Sequence, residues 1–282
     1  MDIIHDIPTL RPHIKKARQA GRTIGLVPTM GFLHEGHLSL LRRARAENDL
    51  TILSIFVNPL QFGASEDYEK YPRDLDSDAK MAASAGCDLI FAPPVREMYP
   101  TKSYTTFVDV KRLTTGLCGA SRPDHFRGVT TVVAKLFNIV TPNRSYFGQK
   151  DAQQVQVLIR MVNDLNMDLE IIVLPIVREA DGLAMSSRNT YLSPGERQAA
   201  PILYRSLQAA EEKIKNGERD AVKIRELIFN ILSSEPLADI DYIAVVDAEE
   251  LCDVQEIRNR TLIALAVRFG KTRLIDNLMV EA

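Results

Sequence analysis

The chain has 282 residues, 45% apolar and 26% charged, with 35 basic side chains against 37 acidic ones and a net charge of −2. That composition belongs to a globular protein with ample material for a core, and it excludes a global attraction to nucleic acid or to an anionic membrane. Three scattered cysteines, Cys87, Cys118 and Cys252, exclude a disulfide framework and suit a reducing compartment.

The first stretch, MDIIHDIPTLRPHIKKARQ, lacks the charge, apolar core and cleavage pattern of a signal peptide. No apolar run approaches the ~18 residues that would span a bilayer. A cytoplasmic location is therefore expected, without nucleic-acid or membrane partners. Strand-like runs follow at 23–28, 50–58, 87–93, 105–110, 144–148 and 169–177. Several are short, continuously apolar and β-branched, as strands buried on both faces are. Helical periodicity lies between them, at about 36–48, 74–86, 126–141 and 150–166. Such alternation predicts an α/β fold with a mostly parallel sheet. After residue 178 the order changes. Ser193 and Pro194 open a predicted long helix, a second helix spans about 219–233, and three strand-like segments follow from Asp239 onward. Helices followed by strands form an α+β unit, so a domain boundary is expected near 176–190.

The densest chemistry lies where the first apolar run gives way to a helix, in the stretch GLVPTMGFLHEGHLSL. Ligands of open α/β sheets sit beyond the carboxyl ends of strands, and a helix N-terminus attracts phosphate. Gly31 and Gly36 allow close approach, and His34 and His37 share one helical face. Two other readings stand beside phosphate binding. A metal site would need ligands beyond the i,i+3 histidines, and in the other reading the rings serve only as caps or packing groups.

Four further clusters are polar. Asn58 and Gln61 follow the second strand and are suited to hydrogen-bonding a hydroxylated carboxylate, or to building a turn at Asn58-Pro59. Arg122, His125 and Arg127 precede the helix at 126–141 and are suited to an anion, or to a solvated basic face. Gly148, Lys150 and Asp151 sit at another strand–helix junction, with Gln153 and Gln154 beyond; Lys150 is able to neutralise phosphate and Asp151 to bind ribose or cap the helix. Ser186, Ser187 and Arg188 combine two hydroxyls with a guanidinium, suited to pyrophosphate or to an N-cap. Neither a P-loop nor a G-x-G-x-x-G fingerprint is present.

Together these strings resemble a known family. HEGH is similar to the HIGH signature of adenylate-forming nucleotidyltransferases, and MSSRN to their KMSKS-type signature. VPTMGFLHEGHLSL, VNPLQFG, YPRDLDSD, RPDHFRGV, FGQKDAQQ, READGLAMSSRN and GKTRLIDN resemble, in that order, the pantoate–β-alanine ligase family over nearly the whole chain. The resemblance implies a Rossmann-like parallel-sheet domain at 1–176, binding nucleotide and pantoate, and a smaller α+β C-terminal lid domain at 177–282. It implies ATP-dependent ligation of pantoate and β-alanine through pantoyl adenylate, with Mg²⁺ accompanying ATP. The sequence itself hints at a homodimer. The strand LTILSIFV is a candidate edge for that dimer.

By the same resemblance Met30, Gly31, Phe32, Leu33, His34, Glu35, Gly36 and His37 hold ATP, with both histidines at its phosphates. Gly148, Gln149, Lys150 and Asp151 contact ATP, Val177 presents backbone to adenine, and Met185, Ser186, Ser187 and Arg188 close over the phosphates. His37, His34, Lys150, Ser187 and Arg188 are the expected catalytic set. Gln61 and Gln154 grip pantoate with Asn58 in support, Arg122 and His125 face pyrophosphate or β-alanine, and Asp76 or Asp78 assists the metal. One departure is Arg188-Asn189, where KMSKS ends in lysine and serine; it separates the chain from tRNA synthetases. Another HIGH-type enzyme, such as a cytidylyltransferase, and a non-catalytic nucleotide sensor are the alternatives.

Overall fold

The structure is a computed structural model that describes residues 1–63, 66–101 and 103–281. In chain order the elements are β1 (Asp2–Ile4), α1 (Ile7–Gln19), β2 (Ile24–Thr29), α2 (Glu35–Glu47), β3 (Leu50–Ile55), α3 (Leu75–Ser84) and β4 (Leu89–Phe91). Then come two short helices, α4 (Val95–Met98) and α5 (Cys118–Ser121), followed by α6 (His125–Val140), β5 (Arg144–Gly148), α7 (Ala152–Asp164) and β6 (Glu170–Leu174). The chain continues with α8 (Pro194–Ala199), α9 (Ile202–Lys215), α10 (Ala221–Ser233), β7 (Ala238–Asp247), β8 (Arg260–Phe269) and β9 (Thr272–Glu281). Among the described residues no helix is long and apolar enough to cross a membrane.

Two compact units form. One contains residues up to Thr115, Gly119–Gly148 and Val157–Pro175; the other contains Gly116–Cys118, Gln149–Gln156 and the chain from Ile176 onward. The first is built on a six-stranded sheet in the order β1-β4-β3-β2-β5-β6, with every pairing parallel. The periodicity that predicts α/β is explained by burial: β2 and β3 are largely apolar and buried on both faces, and α2 covers them with Leu38, Leu41 and Ala44. Strand order reverses on either side of β2, which makes the β2/β5 gap the topological switch point. β2 pairs with β3 at six positions but with β5 only at Gly25 and Leu26. The sheet therefore opens beyond Leu26, on the side where Met30 to His37 follow.

The second unit carries the antiparallel sheet β7-β8-β9. Its core joins Leu203, Leu207 and Ile214 of α9, Ile224, Ile228 and Leu232 of α10, and Val245, Ile263 and Leu265 of the sheet.

Four expectations need correction. β1 and α1 precede the first strand read from the sequence; Asp6 caps α1 by accepting the Thr9 N–H, and Pro8 is tolerated in the first turn. The run at 105–110 is not a strand, because Val108 donates to the Thr131 hydroxyl and accepts from that of Thr130, both on α6. The long helix from Ser193 breaks at Pro201, which has no N–H for the carbonyl four residues back. Finally, β3 lies between β4 and β2, so LTILSIFV is interior and β6 is an edge.

Candidate active site

The loop after β2 turns through two left-handed residues, Gly31 (φ 82°) and Phe32 (φ 52°). Asp78 of α3 holds that turn. Its two carboxylate oxygens accept the N–H groups of Phe32 (2.9 Å) and Leu33 (2.7 Å), and the residue is 2% exposed. Burial pushes its carboxyl above the usual range, with the two N–H donors pulling back. A Cβ on Gly31 would stand 2.8 Å from this carboxylate, so the turn closes only around glycine.

The anchored loop delivers His34 as the N-cap of α2. Its Nδ1 accepts the Gly36 N–H at 3.2 Å, and His37 Nδ1 accepts the His34 N–H at 3.2 Å. Each imidazole therefore spends Nδ1 as an acceptor, and the neutral ring carries its proton on Nε2. The ring centroids lie 4.0 Å apart. Gly36 makes this possible, because a Cβ there would lie 2.9 Å from both Cε1 and Nδ1 of His34. Glu35 instead forms an exposed ion pair with Arg42. The capping reading and the phosphate reading thus describe the same atoms: capping fixes the rings, and fixed rings present Nε2–H as the donor.

A second group follows β3. Asn58 is 1% exposed; its Nδ2 donates to Gln61 Oε1 (3.1 Å) and to the Gly128 carbonyl (3.0 Å). Gln61 Nε2 approaches Met30 Sδ at 3.0 Å, which brings Met30, Asn58 and Gln61 together. His125 Nδ1 donates to the Gln61 carbonyl (2.8 Å), so its Nε2 accepts from Arg122 Nη1 (3.0 Å). Arg122 is also bidentate to Glu66, at 2.6 and 2.7 Å. Burial raises the Glu66 carboxyl, but the Arg122 bonds and charge outweigh it and hold it low. The guanidinium of Arg122 is thus already neutralised by a carboxylate. Asp76 is exposed in the first turn of α3, and among the described residues no group of three or more His, Cys, Asp or Glu is arranged to hold a metal.

Gly148 ends β5 in the first unit. In the second unit Gln149 to Asp151 form a short 3₁₀ turn. Asn277 of β9 clamps it, donating Nδ2 to the carbonyls of Gln149 (3.0 Å) and Lys150 (2.9 Å) and accepting from Gln149 Nε2 (3.2 Å). The Lys150 ammonium makes no salt bridge among the described residues, and Asp151 is exposed. Gln153 is spent on Cys118 N–H and the Gly116 carbonyl, whereas Gln154 is half-buried and makes no side-chain hydrogen bond among the described residues.

Val177 and Met185 meet across a narrow hairpin, with the Met185 N–H donating to the Val177 carbonyl at 3.0 Å and Arg178 bridging Ala184. Arg178 forms a bidentate pair with buried Asp276 (2.6 and 2.9 Å) and lies 3.8 Å over the Tyr204 ring. Burial raises the Asp276 carboxyl despite Arg178. Ser186 caps the following turn by accepting the Arg188 N–H at 3.3 Å, and Ser187 is buried within it. Asn189, the departure from KMSKS, donates to Glu179 (2.7 Å) and to the Ala184 carbonyl (3.1 Å). It stitches the hairpin rather than facing outward.

Sequence reasoning missed Asn277, Asp276, Arg178, Glu66 and the anchoring role of Asp78. The signal for Asp276-Asn277 was present as two polar residues breaking the apolar strand RLIDNLMV.

A sequence profile of the pantoate-beta-alanine ligase family matches residues 2–279. The chain belongs to that family. It is 60% identical over 281 residues to a pantothenate synthetase of Acetivibrio thermocellus, covering all of both chains. The structure is similar to the crystal structure of pantothenate synthetase from Thermus thermophilus, with 46% identity, a TM-score of 0.94 and 99% of each chain covered. It is also similar to a pantoate-beta-alanine ligase from Francisella tularensis complexed with beta-gamma ATP and beta-alanine: 35% identity, TM-score 0.77, covering 99% of this chain and 97% of that one. The ligase activity that joins pantoate and β-alanine to give pantothenate comes with this family membership.

Proposed function

We propose that the ligase works with MgATP in two steps. A carboxylate oxygen of pantoate attacks the α-phosphorus and pyrophosphate leaves, giving pantoyl adenylate. The β-alanine amine then attacks the acyl carbon, the C–O bond to AMP breaks, and the amine proton passes to solvent. The difficulty of the first step is bringing an anion to a polyanion, so donors preorganised around the phosphates supply the main stabilisation. The observation that carries this reading is the reciprocal Nδ1 capping of His34 and His37, which makes Nε2–H the donor of each ring at a helix N-terminus. Neutral donors stabilise the phosphates without requiring His37 to surrender a proton.

Lys150, on a turn clamped by Asn277, adds a mobile positive charge, and Ser186, Ser187 and Arg188 add hydroxyl and guanidinium donors. The loop from Met30 to His37, Gly148 to Asp151 and the Val177 backbone complete the nucleotide contacts. Gln61 and Gln154 bind pantoate, supported by Asn58, and Arg122 with His125 borders the β-alanine side. The C-terminal region from 177 acts as a lid that excludes water from the adenylate. Asp78 does not fit a resident metal site, since both its oxygens hold backbone N–H groups, and Asp76 alone does not make one. Mg²⁺ accordingly enters as part of the substrate, held by ATP oxygens. The half-buried edge strand β6 supports a homodimer, and the cytoplasm is the compartment in this reading.

The test is isotopic. With ¹⁸O in the pantoate carboxylate, the attack on phosphorus transfers one ¹⁸O to AMP. Unlabelled AMP, with pantothenate still formed, would rule out the acyl adenylate.

A further inference from the structure

We infer that Tyr99 is a positioning residue of the pantoate site, anchoring the Asn58 amide that holds Gln61 in place with its Nε2 as the donor. The inference rests on the reading above that Gln61 binds pantoate.

Asn58 is nearly inaccessible, and every polar function of its amide is used. Nδ2 faces the carbonyl of Gly128, which only accepts; Oδ1 faces the N–H of Leu60 (3.3 Å), which only donates. These two backbone groups fix which end of the amide is which. The second bond at each end then follows. Tyr99 OH donates to Oδ1 at 2.8 Å, and Nδ2 donates to Gln61 Oε1 at 3.1 Å. Gln61 has its acceptor occupied, so its Nε2 is the end turned toward Met30. A thioether is a weak acceptor, and an oxygen of a hydroxy acid is a better partner for that amide N–H.

Two further features point to a built relay. Gly128 sits against the turn, where a Cβ would come within 2.3 Å of the Leu60 oxygen and 2.6 Å of the Gln61 nitrogen. Only glycine lets α6 approach closely enough to supply the reference carbonyl. The Tyr99 ring is held independently of its hydroxyl, by Tyr104 (centroids 5.0 Å), Phe56 (6.1 Å) and the Lys135 ammonium (5.6 Å). Burial keeps the phenol protonated, as a donor needs to be.

Tyr99→Phe removes the hydroxyl and leaves those ring contacts in place. Steady-state kinetics with pantoate varied should show its KM raised about five- to tenfold, the consequence of losing one buried hydrogen bond. The kcat and the KM for ATP should stay within about twofold. An unchanged pantoate KM, or a loss of thermal stability alone, would overturn the relay. Gln61→Ala separates the layers: an unchanged pantoate KM in that variant refutes the pantoate assignment itself. If Gln61→Ala raises that KM and Tyr99→Phe does not, the relay alone fails. The double variant should match Gln61→Ala, because the relay has no other route to substrate; additive losses would overturn it.

Discussion

Replacing Gly36 with alanine separates helix stability from the geometry of the histidines. Glycine inside a helix costs roughly 1 kcal/mol relative to alanine, and Gly36 lies in the first turn of α2 without a left-handed φ. By propensity alone, Gly36→Ala stabilises. The new Cβ, however, stands 2.9 Å from two ring atoms of His34, inside any real contact distance, so the ring swings away. It forfeits the bond from the Gly36 N–H and its tilted ring contact with His37 at 4.0 Å. Loss of an N-cap costs about 1 kcal/mol, which offsets the propensity gain, and the folded state should be nearly unchanged in a urea titration. Catalysis should not be. A donor to charged phosphate is worth about 1.5–3 kcal/mol, so pantoate-dependent pyrophosphate release should slow by about 10- to 100-fold. Wild-type release in a well-folded variant would refute the role given to His34, and collapse of the fold would refute the estimate of what the cap contributes.

Other substitutions test other parts. Asp78→Asn keeps one acceptor and sets an amide against the second N–H; ATP use should fall about tenfold or more, while the Mg²⁺ concentration for half-maximal rate stays put, and a raised Mg²⁺ requirement would make Asp78 a metal ligand. Asn277→Ala removes the clamp on the Gln149 and Lys150 carbonyls, so the KM for ATP should rise severalfold more than that for pantoate; equal changes would count against the clamp. Burial pushes the Cys87 thiol up to about 11. Because the folded value lies above the unfolded one, this contribution is complete below the unfolded pKa of about 9. It is lost as pH rises through the folded value, by about 3 kcal/mol in all. Urea titrations across that range should show the loss in the wild type and a flatter profile in Cys87→Ala; parallel profiles would contradict it.

What the sequence revealed follows from what periodicity encodes. Apolar runs in β2 and β3, and the helix stripe of α2, report burial directly, so the parallel sheet and its ligand edge were legible. The segment at 105–110 misled because Val108, at its middle, satisfies its backbone through two threonine hydroxyls on a helix, a partnership that leaves no local pattern. Prolines at 8 and 12 obscured α1, although Pro8 occupies a position where its missing N–H is harmless. The histidine pair and Gly36 announced themselves by spacing; that Gly36 serves the His34 ring required coordinates. The supporting carboxylates were harder still. Asp78 reads as one acid among several in YPRDLDSD, and only the fold places both its oxygens on the loop 45 residues earlier. Asp276 and Asn277 likewise act on segments about 100 residues or more away in sequence.

The most direct measurement is a rapid-quench assay of pyrophosphate release from MgATP, with pantoate present and β-alanine withheld. A pantoate-dependent burst approaching one equivalent per chain is expected, followed by turnover to AMP only when β-alanine is added. Pyrophosphate release that ignores pantoate, or that waits for β-alanine, would contradict it.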